Sequence, residues 1–398
     1  MQFDITIIGA GIVGLATAYK LQRANPALQL CVLEKEASVA QHQSSHNSGV
    51  IHSGIYYKPG SLKALNCQQG YRELLEFAER HNIEHDVCGK VIVATQEKER
   101  EALDNIFKRG VANGLTGIKK ITPEEVKEIE PYVRSVEAIW VPQSGIIDYL
   151  DVAKTYEKLL LAAGHEVLCK HPVKNIELSK ESVVIQAGQR EIKSKLIINC
   201  AGLYSDKIAK LTGQDTGIKI LPFRGEYYEL KKDKEHFVNN LIYPVPNPDF
   251  PFLGVHYTRM IKGGIEAGPN AVLAFRREGY SRWDFQWKEF VETVSYSGLR
   301  QIAKKYWRIE LGELHRSFSK KAFVKALQHL IPSVGMDDLQ RGRAGVRAMA
   351  CKKDGTLVDD FFIVTHPQVV NVLNAPSPAA TASLAIGEEI ARRALELC

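Results

Sequence analysis

A glycine-rich segment close to the first residue has the residue types and the spacing of a dinucleotide-binding loop. Its Gly-x-Gly-x-x-Gly pattern is formed by Gly9-Ala10-Gly11-Ile12-Val13-Gly14. The first glycine permits a tight turn, the second lets the backbone approach a pyrophosphate, and the third lets a helix pack closely on a strand. N–H groups at the start of that helix would stabilise the phosphate charge. The pattern predicts a dinucleotide but does not distinguish FAD from NAD.

Glu34 stands twenty positions after Gly14, at the end of the next apolar run. A carboxylate at this place accepts hydrogen bonds from both ribose hydroxyls of an adenosine and repels a 2′-phosphate. Strand, loop, helix and acid therefore follow the order that the binding mechanism needs. A chance glycine-rich turn is the alternative interpretation.

The elements that would position this loop form a strand–helix–strand unit. Residues 3–8 and 28–33 are apolar and predict strands, and residues 12–23 between them predict a helix. Such a unit implies a parallel sheet with a right-handed crossover. Further helices are predicted at 61–80, with Ser61 as the N-cap, at 148–163 and at 379–395.

The middle of the chain has a different pattern. Residues 217–330 alternate like antiparallel strands joined by glycine and proline turns, for example at 227–230 and 252–257. We therefore predict an α/β protein with two domains. One is a discontinuous Rossmann-type nucleotide-binding domain of residues 1–85, 146–215 and 340–398. The other is a substrate domain with a mixed or antiparallel sheet, inserted twice as residues 86–145 and 216–339.

The segment that follows Glu34 is too polar and too rich in glycine and serine to be a core element. It runs Gln43-Ser44-Ser45-His46-Asn47-Ser48-Gly49-Val50-Ile51-His52-Ser53-Gly54-Ile55-Tyr56-Tyr57. Its small side chains would let the backbone come close to a flat ligand.

Several blocks, spread in order along essentially the whole chain, resemble the FAD-dependent D-amino-acid-oxidase superfamily. They are residues 46–59, 197–202, 222–228, 252–256, 268–274, 344–347 and 374–381. The first and the last blocks are the most specific. Within this superfamily the chain most resembles the L-2-hydroxyglutarate dehydrogenases and oxidases. The resemblance implies a GR2-like FAD domain, FAD held without a covalent bond, and oxidation of L-2-hydroxyglutarate to 2-oxoglutarate by hydride transfer to flavin N5.

The expected contacts of the cofactor lie in segments that are distant in the sequence. They are Gly9, Gly11, Ile12, Val13 and Gly14, then Glu34 and Lys35, then Ser44, Ser45, Asn47, Ser48, Gly49 and Val50, then Val173, Ala201 and Gly202, and finally Ser377, Pro378, Ala379, Ala380 and Thr381. The final segment lies between the last predicted strand and the last predicted helix. Its N–H groups and the helix dipole would stabilise the charge of the reduced flavin at N1 and O2. An ordinary proline-rich turn is the alternative.

Oxidation of a 2-hydroxy acid needs a base for the hydroxyl proton. Histidine is suited to this role because its ordinary pKa is about 6.5. The candidates are His52, in the loop expected near the flavin, and His256, on a predicted strand of the inserted domain. We expect one to act as the base and the other to bind a carboxylate, with His52 favoured as the base. A structural role is the alternative for either histidine.

A substrate with two carboxylates needs cationic anchors, and arginine can form two parallel hydrogen bonds with one carboxylate. Arg224 and Arg347 are the main candidates, and Tyr57, Lys58 and Thr258 are further ones. For each of them a surface ion pair is the alternative interpretation.

Composition argues against several other classes of protein. Hydrophobic residues make up 45% of the chain, yet no apolar run reaches the roughly 18–20 residues that span a bilayer. The seven cysteines are scattered and form no Cys-x-x-Cys pair, so we expect neither a metal site nor a disulfide framework. A net charge of +6 is too weak to indicate nucleic-acid binding and fits a small acidic substrate. With no predicted signal peptide, the expected compartment is the cytoplasm.

Residues 300–325 hold eight lysines and arginines and only two acids, Glu310 and Glu313. Tyr306, Trp307 and Phe318 lie among them. Such a segment could dock on the inner face of the cytoplasmic membrane, where anionic lipids and a quinone acceptor are available. A solvated basic face is the alternative, and the more common case.

Other functions fit the same motifs. One is a flavin-dependent amine or amino-acid oxidase, which needs a pocket for a neutral amine, often with aromatic walls. Another 2-hydroxy-acid dehydrogenase and a non-catalytic dinucleotide-binding protein are further alternatives. Oxygen, a membrane quinone and a carrier protein all fit the sequence as electron acceptors.

Overall fold

The computed structural model describes residues 1–246 and 253–397. In chain order the strands are β1 (Gln2–Ile8), β2 (Leu30–Leu33), β3 (Val50–Ile51), β4 (His85–Asp86), β5 (Lys90–Ala94), β6 (Lys119–Ile121), β7 (Glu137–Val141), β8 (Gly145–Ile147), β9 (Glu166–Leu168), β10 (Val173–Leu178), β11 (Val183–Ala187), β12 (Arg190–Asn199), β13 (Ile218–Leu230), β14 (Leu241–Pro244), β15 (His256–Arg259), β16 (Ile265–Gly268), β17 (Val272–Leu273), β18 (Leu339–Lys352), β19 (Phe362–His366) and β20 (Val369–Asn374). The α-helices are α1 (Ile12–Ala24), α2 (Leu62–Arg80), α3 (Arg100–Ala112), α4 (Pro123–Ile129), α5 (Tyr149–Ala162), α6 (Ser205–Leu211), α7 (Trp287–Val294), α8 (Ser297–Phe318), α9 (Lys320–Leu327) and α10 (Ser383–Leu395).

The first sheet has the parallel core that the N-terminal pattern predicts. Its strand order is β10-β11-β12-β1-β2-β9, with β20 beside β12 and β19 beside β20. β1 pairs in parallel with both β2 and β12, and β12 pairs in parallel with β20. All four residues of β2 are buried, as expected for a parallel strand that is covered on both faces. The predicted α/β fold class is confirmed.

Four helices, α1, α2, α5 and α10, pack together and supply the largest apolar core beside this sheet. Helix α1 buries Leu15, Ala16, Ala18 and Leu21. Small residues at its contact with α10 allow the two helix backbones to approach closely. A Cβ atom added to Gly387 of α10 would lie only 2.8 Å from the carbonyl carbon of Ala16. The first and last helices of the chain are therefore locked against each other.

The second sheet is mixed and mostly antiparallel, in the order β17-β13-β16-β15-β14-β5-β7-β6, with β18 also paired to β13. Only the β14–β5 pair is parallel among the described strands of this sheet. The ladder between β13 and β18 extends from Ile218 opposite Lys352 to Leu230 opposite Leu339. Residues 340–352, which the sequence pattern assigned to the nucleotide-binding domain, therefore lie in the second sheet. The remaining bounds of the two domains stay a prediction.

Two predicted elements differ from the structure. Residues 287–327 form the helices α7, α8 and α9 rather than antiparallel strands, because their apolar residues recur at helical spacing, and α9 buries Phe323, Val324 and Leu327. The last helix begins at Ser383 rather than at residue 379, because Pro376 and Pro378 occupy the turns before it. The strand predicted at 252–257 begins at His256, and residue 252 lies outside the described part of the chain.

Two helix glycines give a matched test of the contact between α1 and α10. Substitution Gly387→Ala should lower the free energy of unfolding by about 1–3 kcal/mol, because the new methyl group meets rigid backbone. Substitution Gly312→Ala in α8 meets no atom within 4 Å and should instead raise stability by up to about 1 kcal/mol. Chemical denaturation of both variants checks the pair. Equal effects would show that the close contact does not constrain the fold.

Candidate active site

One cavity of about 1060 Å³ extends from the glycine-rich loop to the second sheet. Ligand pockets commonly measure about 300–1,000 Å³, so this cavity is large enough for a dinucleotide together with a small substrate. The predicted cofactor contacts that line it are Gly9, Gly11, Ile12, Val13, Glu34, Lys35, Ser44, Asn47, Ser48, Val50, Val173, Ala201, Gly202, Ser377, Pro378, Ala379 and Ala380. Segments that are distant in the sequence therefore meet around one space.

The glycine loop is packed so closely that side chains are excluded from it. Gly9 has a φ of 105°, and a Cβ atom there would lie 2.6 Å from the Cys200 carbonyl oxygen at the end of β12. A Cβ atom on Gly14 would lie 2.0 Å from the carbonyl oxygen of Gly9. Gly14 does not line the cavity, and its role is this packing. The cradle leaves room for a ligand close to the backbone at the start of α1.

Two polar side chains hold the loop from the cavity side. The Ile12 N–H at the start of α1 donates to Ser44 Oγ over 2.9 Å. Glu34, which is 8% exposed, accepts from the N–H of Ala10 at 2.9 Å and from the N–H of Glu36 at 3.0 Å. These bonds keep the Glu34 carboxylate at the cavity wall, where a ribose would lie in a bound dinucleotide.

Lys35 lies beside a small cluster of acids at this end of the cavity. Its ammonium is 2.6 Å from Glu278 Oε1 and also contacts Glu36. His42 Nε2 is 2.9 Å from the same Glu278 oxygen. Glu36, His42 and Glu278 have the geometry of a metal site, but the Lys35 ammonium already supplies a cation to the cluster.

The loop before α10 supports the opposite side of the cavity. The N–H of His52 donates to the hydroxyl oxygen of Thr381 over 3.1 Å. That hydroxyl is 2.7 Å from Tyr149 Oη, which in turn donates to the carbonyl oxygen of Val50. Thr381 therefore fixes the position of the His52 loop and does not line the cavity. Ser45 and Gly49 also lie outside the lining.

Both predicted histidines line the cavity. His256 Nδ1 lies 3.0 Å from the carbonyl oxygen of Gly254, so in the neutral ring Nδ1 carries the proton and Nε2 is the acceptor. Its ring stacks on Tyr243 at a centroid distance of 4.1 Å. Burial lowers the pKa of both His52 and His256 to about 3, with added contributions from nearby cations. Both imidazoles are therefore neutral near pH 7.

The structure separates the two predicted arginine anchors. Arg347, on β18, lines the cavity and is hydrogen-bonded to Tyr227. Arg224, on β13, is 5% exposed and lies outside the lining. Its guanidinium donates to Glu226 at 3.2 Å and to the carbonyl oxygen of Ser281 at 3.0 Å, so its charge is already satisfied.

Of the three further anchor candidates, one lines the cavity and two do not. Tyr57 lines the cavity, whereas Lys58 is exposed and lies outside the lining. Thr258 is buried in β15 and does not reach the cavity surface.

The sequence did not indicate a cluster of aromatic and cationic residues at the end of the cavity that contains His52, His256 and Arg347. We call this end the substrate end. Tyr56, Tyr227 and Tyr243 line the cavity, and the Lys90 ammonium lies behind two of these rings. Lys90 opens a short apolar strand, a place where a lysine is usually solvated. Nothing in the local pattern indicates that this side chain points into the protein.

The model of the family described as FAD dependent oxidoreductase matches residues 4–393. The chain belongs to this family. FAD is accordingly the cofactor. The glycine loop, Glu34 and residues 377–380 line the cavity, and their binding of FAD stays a prediction. The prediction that FAD is held without a covalent bond stays a prediction.

Relatives of this FAD-dependent oxidoreductase agree with that assignment. The chain is 52% identical over 397 residues to an L-2-hydroxyglutarate dehydrogenase of Indibacter alkaliphilus, with 100% of both chains covered. It is 44% identical to the mitochondrial L-2-hydroxyglutarate dehydrogenase of Homo sapiens, covering 98% of this chain and 88% of that protein. Among solved structures, the FAD-bound L-alpha-glycerophosphate oxidase of Mycoplasma pneumoniae superimposes with a TM-score of 0.81 at 26% identity, covering 100% of this chain and 95% of that chain.

Proposed function

We propose that this FAD-dependent oxidoreductase oxidises L-2-hydroxyglutarate to 2-oxoglutarate. The observation that carries the proposal is one cavity that joins the cofactor loop to two neutral histidines beside Arg347. A hydroxy diacid needs this combination of a proton acceptor and a cation. The similarity to a relative named for this activity covers the whole chain.

The two ends of the cavity have different roles in this reaction, one for the cofactor and one for the substrate. When bound, FAD supplies the acceptor for the hydride that leaves C2 of the substrate. The hydroxyl proton goes to His52 or His256, whose rings are held neutral by burial. Arg347 binds a carboxylate and orients the substrate, since a guanidinium can pair with both of its oxygens. Loss of the hydride from C2 and of the proton from oxygen leaves the 2-oxo acid.

Anaerobic addition of substrate to the purified yellow protein tests the proposal directly. L-2-hydroxyglutarate should bleach the flavin absorbance, because its hydride reduces the cofactor, whereas the D enantiomer should leave the spectrum unchanged. An amino acid that bleaches the flavin where L-2-hydroxyglutarate does not would assign the chain to the amine oxidases instead. Protein that stays colourless after FAD is added would overturn the cofactor and the reaction together.

The pH dependence of flavin reduction tests the histidine pair. A base must be deprotonated to act, and a lowered pKa keeps it deprotonated at lower pH. The acid limb of kcat/KM should therefore lie well below the ordinary histidine pKa of about 6.5. The sequence favours His52 as the base, whereas the hydrogen bond at Gly254 already leaves Nε2 of His256 as an acceptor.

Substitutions His52→Gln and His256→Gln decide between the two rings. Loss of the base should slow flavin reduction by about 10²–10⁴-fold. The variant with the larger loss of rate, and without the acid limb, identifies the base. Wild-type rates in both variants would show that neither histidine takes the proton.

We also propose that the chain docks on an anionic membrane surface and passes electrons to a quinone there. Exposed aromatic side chains cluster beside the basic segment predicted from the sequence, and they are Phe275, Trp283, Phe285, Trp287 and Phe318. Trp283 is 81% exposed and Trp287 is 69% exposed, which is unusual for residues of this size. We call these five residues the aromatic surface.

Basic side chains are exposed on α8, the helix that ends at Phe318, and they favour anionic lipid as the partner of this surface. Arg282 lies over the Phe318 ring at 5.5 Å and connects the loop before α7 to the end of α8. Arg300, Lys304 and Lys305 on α8 are exposed. Aromatic rings insert into the membrane interface while lysines and arginines contact lipid phosphates. No helix among the described residues is long and apolar enough to cross a membrane.

Co-sedimentation with vesicles checks this surface. Wild-type protein should bind vesicles that contain phosphatidylglycerol at low salt, and less at high salt because the lipid attraction is screened. The variant Trp283→Ser/Trp287→Ser should lose most of this binding. The control Leu62→Ser/Leu65→Ser changes two exposed apolar residues of α2 and should bind as wild type does. Equal binding by both double variants, or none by wild type, would refute docking through this surface.

A further inference from the structure

Lys90 is a cation enclosed behind the substrate end of the cavity. It opens β5, between β14 and β7, and is 1% exposed. Its Nζ lies 4.7 Å from the centroid of the Tyr56 ring and 4.9 Å from that of the Tyr243 ring. Both tyrosines line the cavity. The ammonium therefore lies close to two rings of the cavity wall, although Lys90 itself is not part of the lining.

Within the described residues, no carboxylate lies within 4 Å of the Lys90 ammonium, and no side-chain hydrogen bond satisfies it. The neighbouring Cys67 thiol of α2 is not a counterion, because burial raises its pKa to about 12 and keeps it neutral. The hydroxyl of Tyr56 is also buried without a hydrogen-bond partner. Burying an ammonium without an anion costs folding free energy, and burial accordingly lowers the pKa of Lys90 to about 7. Such an arrangement is expected where a ligand supplies the missing negative charge.

The charge of Lys90 also reaches the two imidazoles across the aromatic wall. It contributes to the low pKa of both His52 and His256, together with Arg347 of β18. The Tyr243 ring contacts both groups, because its centroid is 4.9 Å from Lys90 Nζ and 4.1 Å from the centroid of the stacked His256 ring. The charge of Lys90 therefore acts on the same space as the two candidate bases, in addition to the larger effect of burial.

We propose that Lys90 is a positioning residue for the anionic substrate, acting through the rings of Tyr56 and Tyr243. Its charge stabilises a carboxylate bound near these rings, because opposite charges attract more strongly in the low dielectric of a buried site than in water. The same charge adds to the effect of burial, which lowers the pKa of both His52 and His256. This inference rests on the proposed function, which supplies the dicarboxylate.

The variant Lys90→Met tests the inference, with Lys119→Met on the exposed face of β6 as the matched control. The probe is glutarate, a diacid without the hydroxyl that is oxidised, and its binding is followed by the change in the flavin spectrum. Lys90→Met should keep FAD and be at least as stable to heat as wild type, because a desolvated charge has been removed. Its Kd for glutarate should rise about tenfold or more, since a charge-assisted interaction is lost. The control should match wild type in all three measurements.

The pH profile supplies a readout that a purely structural lysine would not change. Removing a nearby positive charge raises the pKa of a histidine, so the acid limb of flavin reduction should move to higher pH in Lys90→Met. Unchanged glutarate affinity, or an unchanged limb, would overturn the inference. Loss of FAD or of thermal stability together with glutarate affinity would also overturn it, because it would assign Lys90 a structural role.

A measurement on the wild-type protein keeps the test independent of the variant. At pH 8 much of Lys90 is unprotonated in the free protein, since its pKa is about 7. Binding of an anion should raise that pKa, so glutarate binding should take up a proton from the buffer. Calorimetry in two buffers of different ionisation enthalpy measures this uptake, and its absence contradicts the inference.

If L-2-hydroxyglutarate bleaches the flavin while either Lys90 test fails, only this inference is lost. If the wild-type protein neither reacts with L-2-hydroxyglutarate nor binds glutarate, the proposed function falls as well.

Discussion

The crowding of backbone around Gly9 is the constraint on which the rest of the structure depends. The loop, the end of β12 and the first turn of α1 meet so closely that a methyl group on Gly9 or Gly14 would overlap a carbonyl oxygen. This packing places the start of α1 at the cavity wall, where a helix N-terminus favours a phosphate. Helix α10 then packs on α1 through Gly387 and completes the core beneath the cofactor site.

The second constraint is the support of the His52 loop by parts of the chain that are distant in the sequence. Thr381 receives the N–H of His52, and Tyr149 connects the same hydroxyl to the carbonyl oxygen of Val50. The short sheet of β3, β8 and β4 fixes the strand that precedes His52. Shared hydrogen bonds thus connect the loop that carries His52 to the loop before α10.

The substrate end of the cavity combines features that oppose stability. Lys90 is buried without an acid beside it, and the histidines are desolvated enough to remain neutral. Buried charges of this kind cost free energy in the empty protein. The apolar cores of the two sheets offset that cost. In the proposed function, a small anionic substrate supplies the negative charge that Lys90 lacks.

The sequence by itself determined the nucleotide-binding half of the protein, because its signals are local. A strand, a glycine loop, a helix and an acid at fixed spacing specify one arrangement, and the structure has it at Gly9 to Glu34. Only the tertiary structure decided which of the two arginines lines the cavity. Arg224 and Arg347 belong to paired strands. Arg224 forms an ion pair with Glu226, whereas Arg347 lines the cavity. Lys90 looks like an ordinary strand residue until two distant tyrosines enclose it, since burial and charge pairing depend on neighbours that local spacing does not reveal.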